Sequence, residues 1–199
     1  MNHDREILRK LAGEVAQIAA SDRMQKLKKE WKQHNALQSP RPMICVSPEG
    51  SWQEILPSDA LECEDPLLRS FEYQLRQKIF WAKDIQDDTP VSEYFNVPYV
   101  TTQSFYLEGG QTSAVKTQER GSFRYNKLID DLQAGVEKLK FRQVTYHQEE
   151  SEQNLQAAQE AFGDILKVRH RGLFWWTLGI TAEVIKLIGL EDLMIDMID

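Results

Sequence analysis

Apolar residues recur every three or four positions in two stretches at the start of the chain. Between residues 3 and 20 this spacing predicts one amphipathic helix with Asp4 near its N-terminus, and its inward face consists of Ile7, Leu8, Leu11, Val15 and Ile18. Ser21 or Asp22 can cap a second helix, whose inward residues are Met24, Leu27 and Trp31. Residues 1–39 are therefore predicted to form a helical extension.

Short apolar runs alternate with helical patterns after Pro40 and Pro42. Met43–Val46 is a compact run typical of a strand buried on both faces. A helix is predicted from about Leu67 to Lys83, opened by Asp65 and Pro66, and a second strand is predicted over residues 91–102, interrupted by Pro98. A helix over residues 149–162, closed by Gly163, precedes a third strand at residues 165–170. Strands that alternate with helices predict an α/β fold with a parallel sheet and right-handed crossovers.

Two segments depart from this alternation. Residues 103–144 have a weak pattern and are interpreted as an inserted excursion over the mouth of the sheet. After the third strand, helical spacing predicts one helix from Ile180 and another after Gly189, whose apolar face has no visible partner and consists of Leu190, Leu193, Met194 and Met197. The sequence thus predicts a single domain over residues 1–199, in which residues 40–199 form the first βα units of a truncated α/β protein.

The composition narrows the class of protein. A net charge of −7 and a pI near 5.2 argue against nucleic acid as a partner, because binding to phosphates depends on basic residues. No apolar run is long enough to span a bilayer, and no signal peptide is visible, so a cytoplasmic protein without a membrane partner is expected. Cys45 and Cys63 have no spacing typical of a disulfide framework.

Several segments carry a family resemblance in their order and spacing: Arg41–Trp52, Leu61–Pro66, Gly163–Gly172, Trp176–Gly179 and Gly189–Met194. Together they resemble the N-terminal half of the uroporphyrinogen decarboxylase superfamily, over residues 5–199. The resemblance implies a TIM barrel, of which this chain holds about three βα units after two N-terminal helices. Since a complete barrel takes roughly 250 residues, we expect self-association or a missing C-terminal half.

The superfamily includes porphyrinogen decarboxylases and zinc-dependent methyltransferases that act on corrinoid or thiol partners. By the resemblance, two arginines that hold substrate carboxylates in the decarboxylase correspond to Ser47 and Ser51. Serine has no guanidinium fork for a propionate, and residues 93–104 contain no counterpart of the decarboxylase's strand-two aspartate. The resemblance therefore implies a small-molecule or corrinoid-protein substrate and favours the methyltransferase-like branch. The alternative is a non-enzymatic half-barrel, or an assembly partner of a separately encoded C-terminal half.

Ligand-binding candidates lie where strands end, because barrel chemistry uses the loops at the carboxyl ends of strands. Glu49 and Trp52 follow the first strand, with a solvent-facing glutamate and a packed tryptophan as the alternative. Tyr99 or Ser104 could face the barrel mouth after strand two, although Tyr99 in the core is the alternative.

His170 and Arg171 end the third strand beside Trp175 and Trp176 and could bind an anionic or methoxylated ligand. The alternation Val168-Arg169-His170-Arg171 equally allows one arginine to form an ion pair on the outer surface. No catalytic residue is identified. No metal or cofactor is expected in this chain because neither cysteine has ligand spacing. Zinc in a full-length relative would be held by later strands.

Overall fold

The chain is a mixed α/β protein that divides into two compact units. The computed structural model describes residues 2–38, 41–108, 114–116, 123–172 and 179–198. Unit 1 consists of Met1–Tyr99 with Gln148–Gly172, and unit 2 of Val100–His147 with Leu173–Asp199. The predicted excursion at residues 103–144 lies within the first segment of unit 2. In the part of the chain described, no helix is both long and apolar enough to cross a membrane.

Unit 1 is built mainly from helices. Its α-helices are α1 (Asn2–Ala20), α2 (Asp22–Asn35), the short α3 (Trp52–Ile55), α4 (Pro66–Phe80, continued by a π-helical turn at Trp81–Ile85) and α6 (Gln148–Phe162). The Ser21 hydroxyl accepts from the Met24 N–H at the start of α2, and the Asp65 carboxylate accepts from the Leu67 and Leu68 N–H groups at the start of α4. The predicted helices and both caps are therefore confirmed.

The described part of unit 1 contains two strands, β1 (Tyr94–Val97) and β6 (Lys167–His170), which pair in parallel with Phe95 opposite Val168 and Val97 opposite His170. Gly163 separates α6 from β6, and a Cβ atom there would lie 2.6 Å from the Gln159 carbonyl oxygen. The glycine therefore permits the close turn from helix to strand. The parallel pairing of these two strands agrees with the prediction.

One continuous core joins the helices to this strand pair. The rings of Phe71, Phe95 and Phe162 meet edge to face, with centroids 4.9–6.3 Å apart. Leu8 and Val15 of α1 are fully buried in the same cluster. The first helix is therefore part of the core of unit 1 rather than an appended extension.

The prediction of a buried first strand at Met43–Val46 is wrong. This segment is irregular, and the side chains of Ile44 and Val46 are 60% and 47% exposed. Its backbone bonds go elsewhere: the Ile44 N–H donates to the Asp88 carboxylate at 2.8 Å, and the Val46 N–H donates to Asp87 at 2.6 Å. Because carboxylates take these donors, the segment makes no strand ladder, and one parallel pair replaces the expected three-stranded sheet.

Two buried carboxylates hold the loop before α4. The Asp4 carboxylate accepts from the Glu64 and Asp65 N–H groups at 3.0–3.2 Å, so Asp4 binds this loop. Glu72 accepts from the Glu62 and Cys63 N–H groups and from Arg76 Nε, all within 3.0 Å. These bonds outweigh the opposing effect of burial, and the pKa of Glu72 lies below its ordinary value.

Unit 2 consists of short elements. Its strands are β2 (Thr101–Gln103), β3 (Ala114–Lys116), β4 (Phe123–Tyr125) and β5 (Val144–Tyr146), and its helices are α5 (Leu132–Val136), α7 (Ile180–Ile188) and α8 (Leu190–Asp196). β2 pairs with β5 and β3 with β4, both antiparallel. The predicted second strand is therefore split: β1 belongs to unit 1 and β2 to unit 2, with Pro98, which has no N–H to donate, between them.

In the described part of unit 2, one small apolar cluster is present. Its buried residues are Ile129, Leu187 and Ile188, with Phe105, Leu107, Val184 and Leu193 packed against them. Of the C-terminal apolar face, Leu193 therefore packs, whereas Leu190, Met194 and Met197 are 53–78% exposed.

Candidate functional site

The carboxyl end of the β1/β6 pair brings an imidazole and a phenol together. The rings of Tyr99 and His170 stack with centroids 4.6 Å apart and an angle of 24° between their planes. His170 Nδ1 lies 3.2 Å from the Val97 carbonyl oxygen, which can only accept, so Nδ1 carries the proton of this hydrogen bond. These two contacts hold the ring in one orientation.

The other ring nitrogen of His170, Nε2, is a buried polar atom near this end of the strands. Nε2 is buried and has no hydrogen-bond partner among the described residues. With Nδ1 protonated, Nε2 of the neutral ring is an acceptor. A buried acceptor without a partner costs free energy, about 1–3 kcal/mol for a typical group, so the site is suited to a ligand that donates a hydrogen bond.

Arg171 follows the last residue of β6 directly. Its N–H donates to the Val97 carbonyl oxygen at 3.1 Å, and the residue is exposed. Trp175 and Trp176, which the sequence predicts beside it, lie outside the described residues. Of the predicted site residues, His170 and Arg171 thus share one end of the strand pair, together with Tyr99.

Glu49 and Trp52 lie in a different part of unit 1. Glu49 is exposed at the start of a 3₁₀ turn (Glu49–Ser51), and Trp52 packs against Phe80 and Trp81 with ring centroids 5.8 and 5.0 Å away. This arrangement matches the alternative of a solvent-facing glutamate and a packed tryptophan. The structure therefore places Trp52 and His170 in two separate aromatic clusters.

The two faces of the β1/β6 pair differ in chemistry. Phe95, Val97 and Val168 belong to the core with the helices, whereas Tyr94, Asn96, Lys167 and Arg169 lie on the opposite side, which we call the open face. Lys167 and Arg169 are exposed there. The Arg169 guanidinium carbon lies 4.0 Å from the centroid of the Tyr94 ring, and Nε donates to Asn96 Oδ1 at 2.9 Å.

A further cation lies at the free edge of β1. Lys78 Nζ, on α4, donates to the Tyr94 carbonyl oxygen at 2.5 Å and lies 5.9 Å from the Phe95 ring centroid. Burial, together with the positive charge of Arg169, lowers the pKa of Lys78 to about 8. Lys78, Lys167 and Arg169 thus all lie beside the β1/β6 pair, in a protein whose net charge is negative.

Cys45 and Cys63 lie in different environments. Cys45 is exposed and Cys63 is buried, where burial and the neighbouring Glu72 raise the pKa of Cys63 to about 12. Its thiol therefore stays protonated at neutral pH. Among the described residues, no group of three or more His, Cys, Asp and Glu side chains gathers closely enough to hold a metal ion.

Unit 2 contains a cavity of about 500 Å³ between β4 and helices α7 and α8. Its apolar lining includes Ile185, Ile188 and Leu190. At its rim Lys127 bonds to Asp192, and Arg124 lies 3.8 Å from Glu191. Because the rim charges pair with one another, this cavity lacks the uncompensated charge of the open face.

The contact between Asn96 and Arg169 was not predicted from the sequence. The alternation of Lys167-Val-Arg-His170 contains a signal, because residues two apart in a strand share a face. The signal is incomplete, since only the parallel register places Asn96 opposite Arg169.

The chain was also compared with known proteins. No protein-family model, curated protein or solved structure matches it.

Proposed function

We propose that this chain is the N-terminal part of a TIM-barrel protein of the uroporphyrinogen decarboxylase superfamily, in the branch that resembles corrinoid and thiol methyltransferases. The parallel β1/β6 pair supports the barrel, because α6 precedes β6 and packs on the core side of both strands. This is the arrangement of the βα units from which such barrels are built. The segments around Arg41–Trp52 and Gly163–Gly172 supply the resemblance to this superfamily.

The observation that carries a ligand-binding function is the unpartnered Nε2 of His170. It lies at the carboxyl end of parallel strands, where α/β proteins bind their ligands. The stack on Tyr99 and the bond to Val97 hold the imidazole ready for a donor on the ligand. Arg171, exposed beside it, supplies a positive charge for an anionic group. In this proposal the substrate is a small molecule or a corrinoid carried by a protein.

Decarboxylation of a porphyrinogen is not part of the proposal. Ser47 and Ser51, which by the resemblance correspond to the decarboxylase arginines, are both exposed, and Ser51 lies in the 3₁₀ turn before α3. A hydroxyl group makes one or two weak hydrogen bonds to a carboxylate, whereas a guanidinium makes two charged ones in parallel. The residues that would hold several propionates are therefore missing from this segment.

Methylcobalamin, a free corrinoid, is the probe for this function. Titration followed by absorbance and by equilibrium dialysis is expected to give saturable binding to the wild-type chain. His170→Ala should weaken binding about 10-fold, which corresponds to roughly 1.4 kcal/mol for one lost hydrogen bond and ring contact. His3→Ala, an exposed histidine on α1, is the matched control and should bind like the wild type.

Two outcomes would contradict the proposal. Absence of saturable corrinoid binding, or equal affinity for wild type and His170→Ala, would remove the ligand role from the strand ends. Turnover of uroporphyrinogen well above a heat-killed control would instead move the chain to the decarboxylase branch.

A second candidate function is assembly with another chain that supplies a C-terminal half. It is favoured by the exposed apolar residues of α8 and the residues that follow it, among which Met197 is 78% and Ile198 85% exposed. An assembly partner would bury these side chains, each worth about 1.5–3 kcal/mol when fully buried.

A further inference from the structure

Arg169 is held in a fixed orientation by neutral groups. Its Nε donates to Asn96 Oδ1, and its guanidinium plane lies over the Tyr94 ring. Such an anchored arginine loses little side-chain entropy when it binds a further group. Its two terminal nitrogens have no hydrogen-bond partner among the described residues, although the side chain is exposed.

The charge of Arg169 is also uncompensated. Its neighbour Lys167 lies 3.6 Å from Glu93, and Lys28 bonds to the same carboxylate at 2.9 Å. Across the described part of the chain, no carboxylate lies within ion-pair distance of Arg169. Lys78, whose ammonium interacts unfavourably with Arg169, adds a second positive charge nearby. The open face thus has an excess of positive charge even though the protein carries −7.

We propose that Arg169 and Asn96 form an oxyanion-binding site on the open face, which takes a carboxylate or phosphate group of a small molecule. The terminal nitrogens of Arg169 would bind two oxygens in a fork. Because Asn96 Oδ1 is already an acceptor for Arg169, its amide N–H groups are the second set of donors beside the guanidinium. Lys167 contributes charge rather than a geometric contact.

This site is independent of the family assignment. It uses residues on the face of the strands opposite the core, whereas His170 and Tyr99 belong to the carboxyl-end site. Binding here would therefore survive His170→Ala, and the proposed corrinoid site could fail without removing the oxyanion site.

The test is a titration of the ¹⁵N-labelled chain, followed through the amide signals of residues 94–97 and 167–170. Inorganic phosphate and succinate are the two probes, added at constant ionic strength with chloride as the reference salt. The wild-type chain is expected to show saturable shifts at these positions. The probe that binds more tightly identifies whether the group is a phosphate or a carboxylate.

Three variants separate a site from general attraction between charges. Arg169→Gln should weaken binding at least 10-fold. Arg169→Lys keeps the charge but loses the fork, and should weaken binding severalfold. Arg5→Gln, an exposed arginine on α1, removes the same charge and should leave binding unchanged. Because residue 169 is exposed, these variants should fold, which the remaining amide signals will verify.

The proposal is overturned if neither probe gives saturable shifts at the open face. It is equally overturned if Arg5→Gln weakens binding as much as Arg169→Gln, since the attraction would then depend on net charge alone. Equal binding by Arg169→Lys and wild type would exclude the fork and with it the site as described.

Discussion

Unit 1 and unit 2 contain similar elements but bury their apolar residues very differently. In unit 1, four helices and a parallel strand pair enclose one core that includes Phe71, Phe95 and Phe162. In the described part of unit 2, the core cluster has three buried apolar residues, while Phe141 is 100% and Val144 61% exposed.

The difference shows which part of the chain stabilises itself. Burial of apolar surface is the main favourable term in folding, and unit 1 buries its large side chains within its own elements. Unit 2 leaves apolar side chains on both its β2/β5 pair and α8 in contact with solvent. Large exposed apolar patches mark surfaces that bind other molecules. We therefore expect unit 1 to determine the stability of the chain and unit 2 to determine its association.

The largest expected effect comes from the core of unit 1. Phe95→Ala removes a ring that contacts both Phe71 and Phe162, and should lower the free energy of unfolding by about 3–5 kcal/mol. Phe141→Ala, the same change at an exposed position of unit 2, should alter it by less than about 0.5 kcal/mol. Urea unfolding followed by circular dichroism measures both. Similar decreases in the free energy of unfolding for the two variants would contradict the proposed difference between the units.

The next effect concerns the buried carboxylate of Glu72. In the wild type, the Cys63 N–H and Arg76 Nε donate to the Glu72 carboxylate. Glu72→Gln would place an amide NH₂ group against these donors, and should lower the free energy of unfolding by roughly 2–3 kcal/mol. Glu6→Gln on the exposed side of α1 is the control.

The difference in the free energy of unfolding between the wild type and Glu72→Gln should depend on pH. Since the pKa of Glu72 is lowered in the folded protein, its stabilisation is present above the ordinary glutamate value of about 4.3 and is lost as the pH falls below it. A difference between wild type and Glu72→Gln that stays constant from pH 7 to pH 3 would show that the charge is not responsible.

A third prediction concerns association through unit 2. The isolated chain should self-associate. The double variant Met194→Lys/Met197→Lys should shift it towards monomer, because burying the two ammonium groups in an interface is costly. Lysine at both Gln153 and Gln159, exposed on α6, adds the same charge to unit 1 and should leave association unchanged. Sedimentation velocity over a range of concentrations measures this. A wild-type chain that stays monomeric at high concentration would contradict the prediction.

The smallest effect is expected at the surface of unit 1. Hydrogen bonds from Arg41 and from the Ile44 N–H lower the pKa of Asp88 to about 2. The stabilisation from this carboxylate is therefore present above about pH 4 and is lost as the pH falls towards 2. Arg41→Gln should move the midpoint of acid unfolding slightly upward, whereas Lys29→Gln should leave it in place. An unchanged midpoint for Arg41→Gln would mean that the backbone bond alone holds the carboxylate.

Helices were predictable because their signals are local. The apolar spacing of α1, α2 and α4 and the caps at Ser21 and Asp65 lie within a few residues of one another, and each is confirmed. The parallel pairing of β1 with β6 followed from the order of elements. The strand at Met43–Val46 was wrong because its backbone partners, Asp87 and Asp88, lie more than 40 positions further along the chain.

In the candidate site, too, the residues at the strand end were predictable and their contacts with distant residues were not. His170 and Arg171 were identified from their place at the end of a strand, and the structure adds the stack on Tyr99 and the unpartnered Nε2. The pairing of Arg169 with Asn96 depends on contacts between residues 73 positions apart. Sequence spacing carries no information about such a contact until the register of the two strands is known.

By itself the sequence determined where the long helices α1, α2, α4 and α6 lie, that β1 and β6 run in parallel and which residues terminate β6. Helical period, capping side chains and element order are properties of neighbouring residues. Only the tertiary structure decided that Asp4 and Glu72 bind one loop, that Met43–Val46 stays outside the sheet and that Arg169 meets Asn96. Each of these depends on which donor reaches which acceptor after the chain has folded back on itself. Buried polar groups form hydrogen bonds with whichever partners the packing places beside them. These partners therefore depend on the whole fold.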